Sequence, residues 1–189
     1  MNEQAPLPHR VAALAEVRCI ASTVSLLARR RIHLPRTHVR MRLRFADQTT
    51  APVYRETVVD GVSVEPCVLL VEFKLRAVRG WGHTLFRWES LLNTPLFVGF
   101  PGFASKLWLT DDEHGLYRGC YEWDGADRAA GYVQALSWVL GLVSVPGSIR
   151  AHVVPGVHRD DALARPEVLG PPVEDTEEWW RPIAPAGRR

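Results

Sequence analysis

The spacing of apolar residues changes along the chain, and these changes predict which segments form helices and which form strands. In residues 10–31, apolar side chains recur every three or four positions without Pro or Gly, which is typical of an amphipathic helix. In residues 38–45 they alternate with polar side chains, as in a strand with one buried face. A second apolar run at 53–59 follows a polar turn, so residues 1–64 are expected to form a helix and a β-hairpin.

Residues 65–156 repeat strand and helix patterns in a regular order. Four strands are predicted, at residues 67–76, 103–110, 115–123 and 148–154. A helical apolar stripe begins at His83, between the first two strands, and a second stripe lies between Gly125 and Pro146. The order is βαββαβ, and the predicted fold class is therefore α+β.

Residues 157–189 form a third region, a charged and Pro-rich tail. Its composition is typical of extended or disordered chain. Trp179 and Trp180 are the exception, because two large apolar side chains are expected to dock in a groove rather than stay in water. Docking on a partner subunit is one possibility that the sequence leaves open.

The net charge and its distribution along the chain argue against two classes of partner, nucleic acids and membranes. The net charge of +2 over 189 residues is too small to indicate binding to nucleic acid or to a membrane. Arg40, Arg42 and Arg44 alternate along one predicted strand, and such a row is more often a solvated strand face than a binding surface. We expect no nucleic-acid or membrane partner.

Cysteine and histidine positions bear on the compartment and on metal binding. The three cysteines are far apart, and the first residues lack the order of a secretory signal, so a cytoplasmic protein is expected. The seven histidines show no metal-ligand spacing, and no glycine-rich phosphate loop is present in the sequence. We expect no metal and no cofactor.

Several short motifs in the βαββαβ region resemble a known family. They are a Pro101-Gly102-Phe103 turn, a strand with Lys106 and Trp108 two residues apart, a Gly115-Leu116-Tyr117 strand, and a helix that carries Ala129, Ala130 and Tyr132. Together they resemble the ferredoxin-like dimeric α+β barrel superfamily, which includes the antibiotic-biosynthesis monooxygenases. The pattern is most similar to the YdhR-type monooxygenase group and covers roughly half of the chain.

The resemblance implies an assembly and an activity. Two subunits would pack their four-stranded sheets face to face as a homodimer, with a small-molecule pocket in each subunit between its sheet and its helices. Some members of the superfamily oxidise phenolic or polycyclic compounds with molecular oxygen and without metal or flavin. Others degrade haem, decompose small compounds or have no demonstrated activity. The function implied is that of a cofactor-independent monooxygenase acting on an aromatic or polycyclic ligand.

Candidate site residues converge between the first helix of the module and the sheet. His83 and Arg87 lie one turn apart on one helix face. Removal of a phenolic proton needs a base such as His83, and Arg87 could stabilise the oxyanion that results. The walls of the pocket, which would stack against a flat ligand, are expected to be Trp81, Trp88, Asn93, Trp108, Tyr117, Tyr121 and Trp123.

Two other functions use the same residues. Aromatic side chains on a sheet face are more often core or interface than a pocket, which is the expectation for a non-catalytic ligand-binding or assembly protein. A polyketide cyclase or isomerase would use the same cavity with His83 as a proton shuttle. The sequence leaves all three open.

Overall fold

Three helices and eight strands occur in the part of the chain that the structure describes. The structure is a computed structural model, and it describes residues 9–76, 97–172 and 178–186. The helices are α1 (His9–Ala28), α2 (Ala126–Val143) and α3 (Arg159–Ala164). The strands are β1 (Ile32–His33), β2 (Arg42–Phe45), β3 (Thr50–Val59), β4 (Pro66–Lys74), β5 (Phe103–Leu109), β6 (Leu116–Asp124), β7 (Arg150–Pro155) and β8 (Pro182–Ala186).

All eight strands belong to one antiparallel sheet. Its order is β7-β4-β6-β5-β3-β2-β8, and β1 pairs with β3 beside β2. Register shifts within β3 and β5 mark irregular pairing that bends strands, and the sheet curls into a half-barrel. The prediction of an α+β fold is confirmed. The predicted hairpin of the N-terminal region is also confirmed, and it extends the sheet through the pairing of β3 with β5.

The sheet buries both of its faces. The α2 face packs against α2 through a cluster that includes Leu69, Trp123 and Tyr132. We call the opposite side the tail face, because the C-terminal segment covers it. Phe45 and Leu107 are fully buried there beneath residues of α3.

The C-terminal segment is more regular than its composition predicts. It forms α3, a 3-10 turn at Pro166–Leu169 and the edge strand β8, which pairs with β2. Trp179 and Trp180 are 8% and 9% exposed and pack into the core of the tail face. Their expected docking groove therefore lies on their own chain.

The covered tail face also affects where the expected homodimer can form its contact. In the assembly implied by the resemblance, the sheet face without long helices packs on a second subunit. Here α3 and the two tryptophans already occupy that face. The homodimer stays a prediction, and its contact surface has to lie elsewhere or to displace the C-terminal segment.

α1 ends in a Schellman motif. Arg31 N–H donates to the Leu26 carbonyl over 2.9 Å, and Arg30 N–H donates to the Leu27 carbonyl over 2.9 Å. Arg30 has φ 54°, the left-handed conformation that Gly adopts more readily. In the described part of the chain, no helix is both long and apolar enough to cross a bilayer.

Candidate functional site

Three of the aromatic residues predicted from the sequence lie together on the α2 face. Trp108, Tyr121 and Trp123 belong to one buried cluster with Tyr132 of α2. The Trp123 and Tyr132 ring centroids are 4.8 Å apart, and those of Tyr121 and Tyr132 are 5.6 Å apart. The fourth, Tyr117, is buried and stacks on Phe73 with centroids 5.9 Å apart. We call the cluster of Trp108, Tyr121, Trp123 and Tyr132 the aromatic layer.

The remaining predicted site residues fall in the segment from 77 to 96. His83 and Arg87, the expected catalytic pair, lie outside the described residues, as do Trp81, Trp88 and Asn93. The predicted helix over this segment lies outside them as well. These assignments therefore stay predictions.

Lys106 lies in the aromatic layer, on the side of its strand that Trp108 shares, as their spacing of two residues predicts. Its side chain is 7% exposed, and Nζ lies 3.3 Å from the ring centroid of Trp108. The same atom lies 4.5 Å from the Phe97 centroid and 4.6 Å from the Tyr121 centroid. No carboxylate among the described residues comes within salt-bridge distance of Nζ.

Burial changes the protonation of this amine. Loss of hydration disfavours the ammonium form, and the nearby positive charge of Arg55 disfavours it further. Both effects hold the pKa of Lys106 well below its usual range. The ammonium form is therefore disfavoured, and Lys106 gives up its proton more readily than an exposed lysine does.

Two neighbours fix the geometry around Lys106. Trp108 Nε1–H donates a hydrogen bond to Thr57 Oγ1 over 3.1 Å, which orients the indole ring. Gly119 pairs with Trp108 across the sheet, and a Cβ at that glycine would lie 2.6 Å from the Tyr121 ring. A residue without a side chain therefore makes room for the aromatic layer.

Tyr121 stays a neutral phenol in this environment. Burial raises the pKa of Tyr121 above its usual value. Its hydroxyl accepts a hydrogen bond from the Tyr132 hydroxyl over 3.4 Å. The layer thus offers hydroxyl groups and ring faces to a ligand but no carboxylate.

A cleft of about 650 Å³ opens beside the aromatic layer. Leu34, Pro35 and Val39 supply apolar surface, and Arg36, Arg40, Tyr54, Arg55 and Glu56 supply polar groups. Tyr54 lies with its ring centroid 6.3 Å from that of Trp108, and the Arg55 guanidinium carbon lies 5.2 Å from the Trp108 centroid. Tyr54 and Arg55 therefore connect the cleft to the layer that holds Lys106.

Glu56, the acidic residue of the cleft, is engaged on the other side of β3. Its Oε1 lies 2.9 Å from His38 Nδ1 and accepts a hydrogen bond from Arg159 Nη2 over 2.8 Å. Although burial opposes its charge, these hydrogen bonds and the Arg159 charge hold the pKa of Glu56 below its usual value. The carboxylate is ionised and serves to tie α3 to β3.

A second group of buried charges lies on the tail face. Arg118 Nε donates to Glu72 Oε2 over 2.7 Å, and its guanidinium also contacts Asp47 and Thr49 of the β2–β3 turn. Asp112 lies 3.5 Å from Arg118 Nη1. This network joins β4, β6 and two turns of the sheet and is remote from the aromatic layer, so we assign it a structural role.

No group of three or more His, Cys, Asp or Glu within the described ranges is arranged to hold a metal ion. Burial raises the pKa of the Cys67 thiol to about 11 and that of Cys120 to about 12. These two cysteines are therefore unreactive thiols inside the sheet.

The aromatic residues and the side of β5 that Lys106 shares with Trp108 could be predicted from strand alternation, whereas the burial of Lys106, Arg55 and the cleft could not. Lys106 carried one signal in the sequence, since it stands two residues from Trp108 in a largely apolar strand. The cleft is formed by a loop and a strand separated in sequence, so no local pattern indicates it.

Comparisons with known proteins add two structural matches. No family model matches the chain, and no curated protein matches it. An anthrone oxidase-like protein aligns with 59% of this chain and 58% of its own, at 12% identity and a TM-score of 0.36. A major regulator of staphylococcal pathogenesis aligns with 69% of this chain and 89% of its own, at 12% identity and a TM-score of 0.37.

The chain spans less than two thirds of the length of the anthrone oxidase-like protein. Both TM-scores lie below 0.5, and neither match therefore bears on the chemistry of this chain.

Proposed function

We propose that the chain is a small-molecule enzyme that oxidises a flat, hydroxylated aromatic compound with molecular oxygen, and that Lys106 is its general base. The observation that carries the proposal is the Lys106 amine, buried against three aromatic rings with its pKa held low. A strongly perturbed lysine among apolar side chains is a common mark of a catalytic site.

The residue type supports this role. Lys74 and Lys106 are the only lysines of the sequence, in which Lys and Arg together number 23. Arginine stays protonated even when buried, whereas lysine loses its proton readily and can act as a base. Lys106 is thus the buried one of two lysines in a chain that carries many more arginines.

The aromatic rings favour the proton transfer. A neutral amine can take the phenolic proton, and the ammonium that forms is attracted to the faces of Trp108, Tyr121 and Phe97. Arg55, over the edge of the layer, supplies a positive charge for the phenolate. The two charges created in the step each have a partner.

The remaining steps balance without a further reductant. The phenolate gives one electron to oxygen, and the radical and superoxide then combine to form a carbon–oxygen bond. The peroxide anion that results takes a proton from the Lys106 ammonium and becomes a hydroperoxide. Cleavage of its oxygen–oxygen bond, with loss of the hydrogen on the same carbon, then releases water and leaves a carbonyl. One aromatic C–H and one O–H are oxidised, so one substrate and one oxygen molecule yield one quinone and one water.

The test is oxygen uptake with a dihydroxynaphthalene as the probe. We expect one quinone to appear for each oxygen consumed, and we expect Lys106→Met to lower kcat by about 10²- to 10⁴-fold. Lys74→Met, at an exposed lysine, is the matched control and should leave turnover unchanged. The dimethyl ether of the probe has no proton to lose and should not react.

Three results would contradict the proposal. Wild-type turnover in Lys106→Met would exclude Lys106 as the base, and a loss in His83→Ala alone would assign that role to His83. Binding of the probe without oxygen uptake would favour the non-catalytic ligand-binding protein.

A further inference from the structure

The cleft beside the aromatic layer is rich in positive charge. Arg36, Arg40 and Arg55 line it, and its carboxylate, Glu56, is engaged by His38 and Arg159. Among the described residues, no carboxylate lies within salt-bridge distance of the Arg36 or Arg40 guanidinium. Two arginines therefore face the cleft without a neutralising partner in this part of the chain.

Arg40 adopts a backbone conformation that costs energy. Its φ is 73°, in the left-handed region that residues other than Gly rarely adopt. Its N–H donates to the Val53 carbonyl over 2.9 Å, and Met41 N–H donates to the His38 carbonyl over 3.0 Å. These hydrogen bonds hold the strained turn, which keeps the arginine at the wall of the cleft.

The cleft suits a ligand of defined size and shape. Its volume of about 650 Å³ lies in the range of small-molecule sites. Leu34 and Val39 offer apolar contact, while Tyr54 and Arg55 lead toward Trp108 and so toward Lys106. An acidic group at one end of a ligand could therefore rest on Arg36 and Arg40 while its ring system extends toward the base.

We propose that this cleft binds the carboxylate of an aromatic acid. The planar fork of arginine matches a carboxylate through two parallel hydrogen bonds. The assignment of this acid as substrate rests on the proposed function, and the binding itself does not. The enzyme's substrate is then an aromatic acid that also carries a phenolic hydroxyl.

The test compares naphthoate with naphthamide by isothermal titration calorimetry on the full chain. The two probes share shape and differ in charge, so we expect naphthoate to bind at least about tenfold more tightly. Arg36→Gln and Arg40→Gly should each weaken naphthoate binding by about tenfold and leave naphthamide binding unchanged.

Two controls distinguish an effect on folding from an effect on naphthoate binding. Arg40→Gly removes the left-handed strain, so its melting temperature should not fall. Arg30→Gly relieves the same strain at the end of α1, outside the cleft, and should bind naphthoate as the wild type does.

Equal binding of naphthoate and naphthamide, or wild-type naphthoate binding by Arg40→Gly, would overturn the inference. Lys106→Met should still bind naphthoate while losing oxygen uptake. If naphthoate does not bind but oxygen uptake depends on Lys106, this inference fails and the proposed function stands.

Discussion

At the scale of single residues, buried basic side chains have different surroundings on the two faces of the sheet. Arg118 on the tail face is surrounded by carboxylates, which compensate its burial. Lys106 on the α2 face meets ring faces and a like charge from Arg55 instead. The carboxylates stabilise the positive charge of Arg118, whereas the surroundings of Lys106 disfavour its ammonium form.

The arrangement at Lys106 makes stability depend on pH. The pKa of Lys106 is lowered in the folded chain, so between that value and the ordinary value of about 10.4 the unfolded chain binds more protons. The free energy of unfolding therefore rises with pH across this window. Below the window the folded chain carries the full cost of burying the ammonium.

Comparison with Lys106→Met isolates this effect. We expect the variant to be more stable than the wild type at neutral pH by at least about 1 kcal/mol, because a buried polar group is removed. Urea unfolding at several pH values should show the difference shrinking as the pH approaches the ordinary lysine value. A difference that is constant with pH would contradict the lowered pKa.

Removal of the Arg118 charge should be costly. Arg118→Met leaves Asp112 buried without a guanidinium and leaves the buried Glu72 with Arg150 alone. We expect a loss of about 3–5 kcal/mol in the free energy of unfolding, measured by urea denaturation. Arg128→Met, which breaks an exposed pair with Asp124, should cost much less, because solvent screens that pair. Similar losses in the two variants would contradict the structural role of the network.

At the scale of elements, the sequence predicted what local pattern determines. The strands of the βαββαβ region are bounded by Pro, Gly or polar turns and carry clear apolar runs, so their positions agree with the prediction within a few residues. α1 and α2 have apolar residues at helical spacing. The same alternation predicted that Tyr121 and Trp123 lie on one face of their strand. The structure places both in the buried cluster of the α2 face, together with Trp108.

The C-terminal segment could not be predicted in this way. α3 has six residues, and β8 contains Pro182 and Pro185, so neither shows a strong local preference. Its order comes from contacts with distant parts of the chain, such as Arg159 with Glu56 and Trp180 with His152. The burial of Lys106 is non-local for the same reason.

The docking of the C-terminal segment should depend on Trp180. Its ring stacks on His152 with centroids 3.9 Å apart, and the Arg181 guanidinium lies 4.9 Å from the Trp180 centroid. We expect Trp180→Ala to cost about 3–5 kcal/mol in thermal or urea unfolding. It should also raise hydrogen exchange in α3 and β8.

The matched control lies in the same segment. Ile183 is 37% exposed, so Ile183→Ala should cost much less than Trp180→Ala. Equal costs, or unchanged hydrogen exchange in Trp180→Ala, would show that the tryptophan does not anchor the segment.

At the scale of the whole molecule, an uncovered apolar surface on α1 is available to the expected homodimer. Ile20, Val24 and Leu27 recur at helical spacing on α1 and are 41%, 59% and 55% exposed. The tail face, by contrast, is covered by the chain itself. A second copy seated on α1 would bury this stripe and leave the C-terminal segment in place.

Light scattering on purified protein tests this contact. We expect the wild type to have twice the chain mass and Val24→Asp to have the chain mass, with an unchanged unfolding midpoint in dilute solution. A dimer that persists in Val24→Asp would place the contact on another surface. A wild type with the single chain mass would remove the homodimer.

The central claim is that one amine in the aromatic layer has a pKa well below the ordinary lysine value. The sequence contains two lysines, so protein labelled at lysine with ¹³C and ¹⁵N gives two side-chain signals in an NMR titration, and Lys106→Met assigns them by the loss of one. We predict that the Lys106 signal titrates well below about 10.4, the ordinary lysine value. Titration of that signal at the ordinary value would contradict the account.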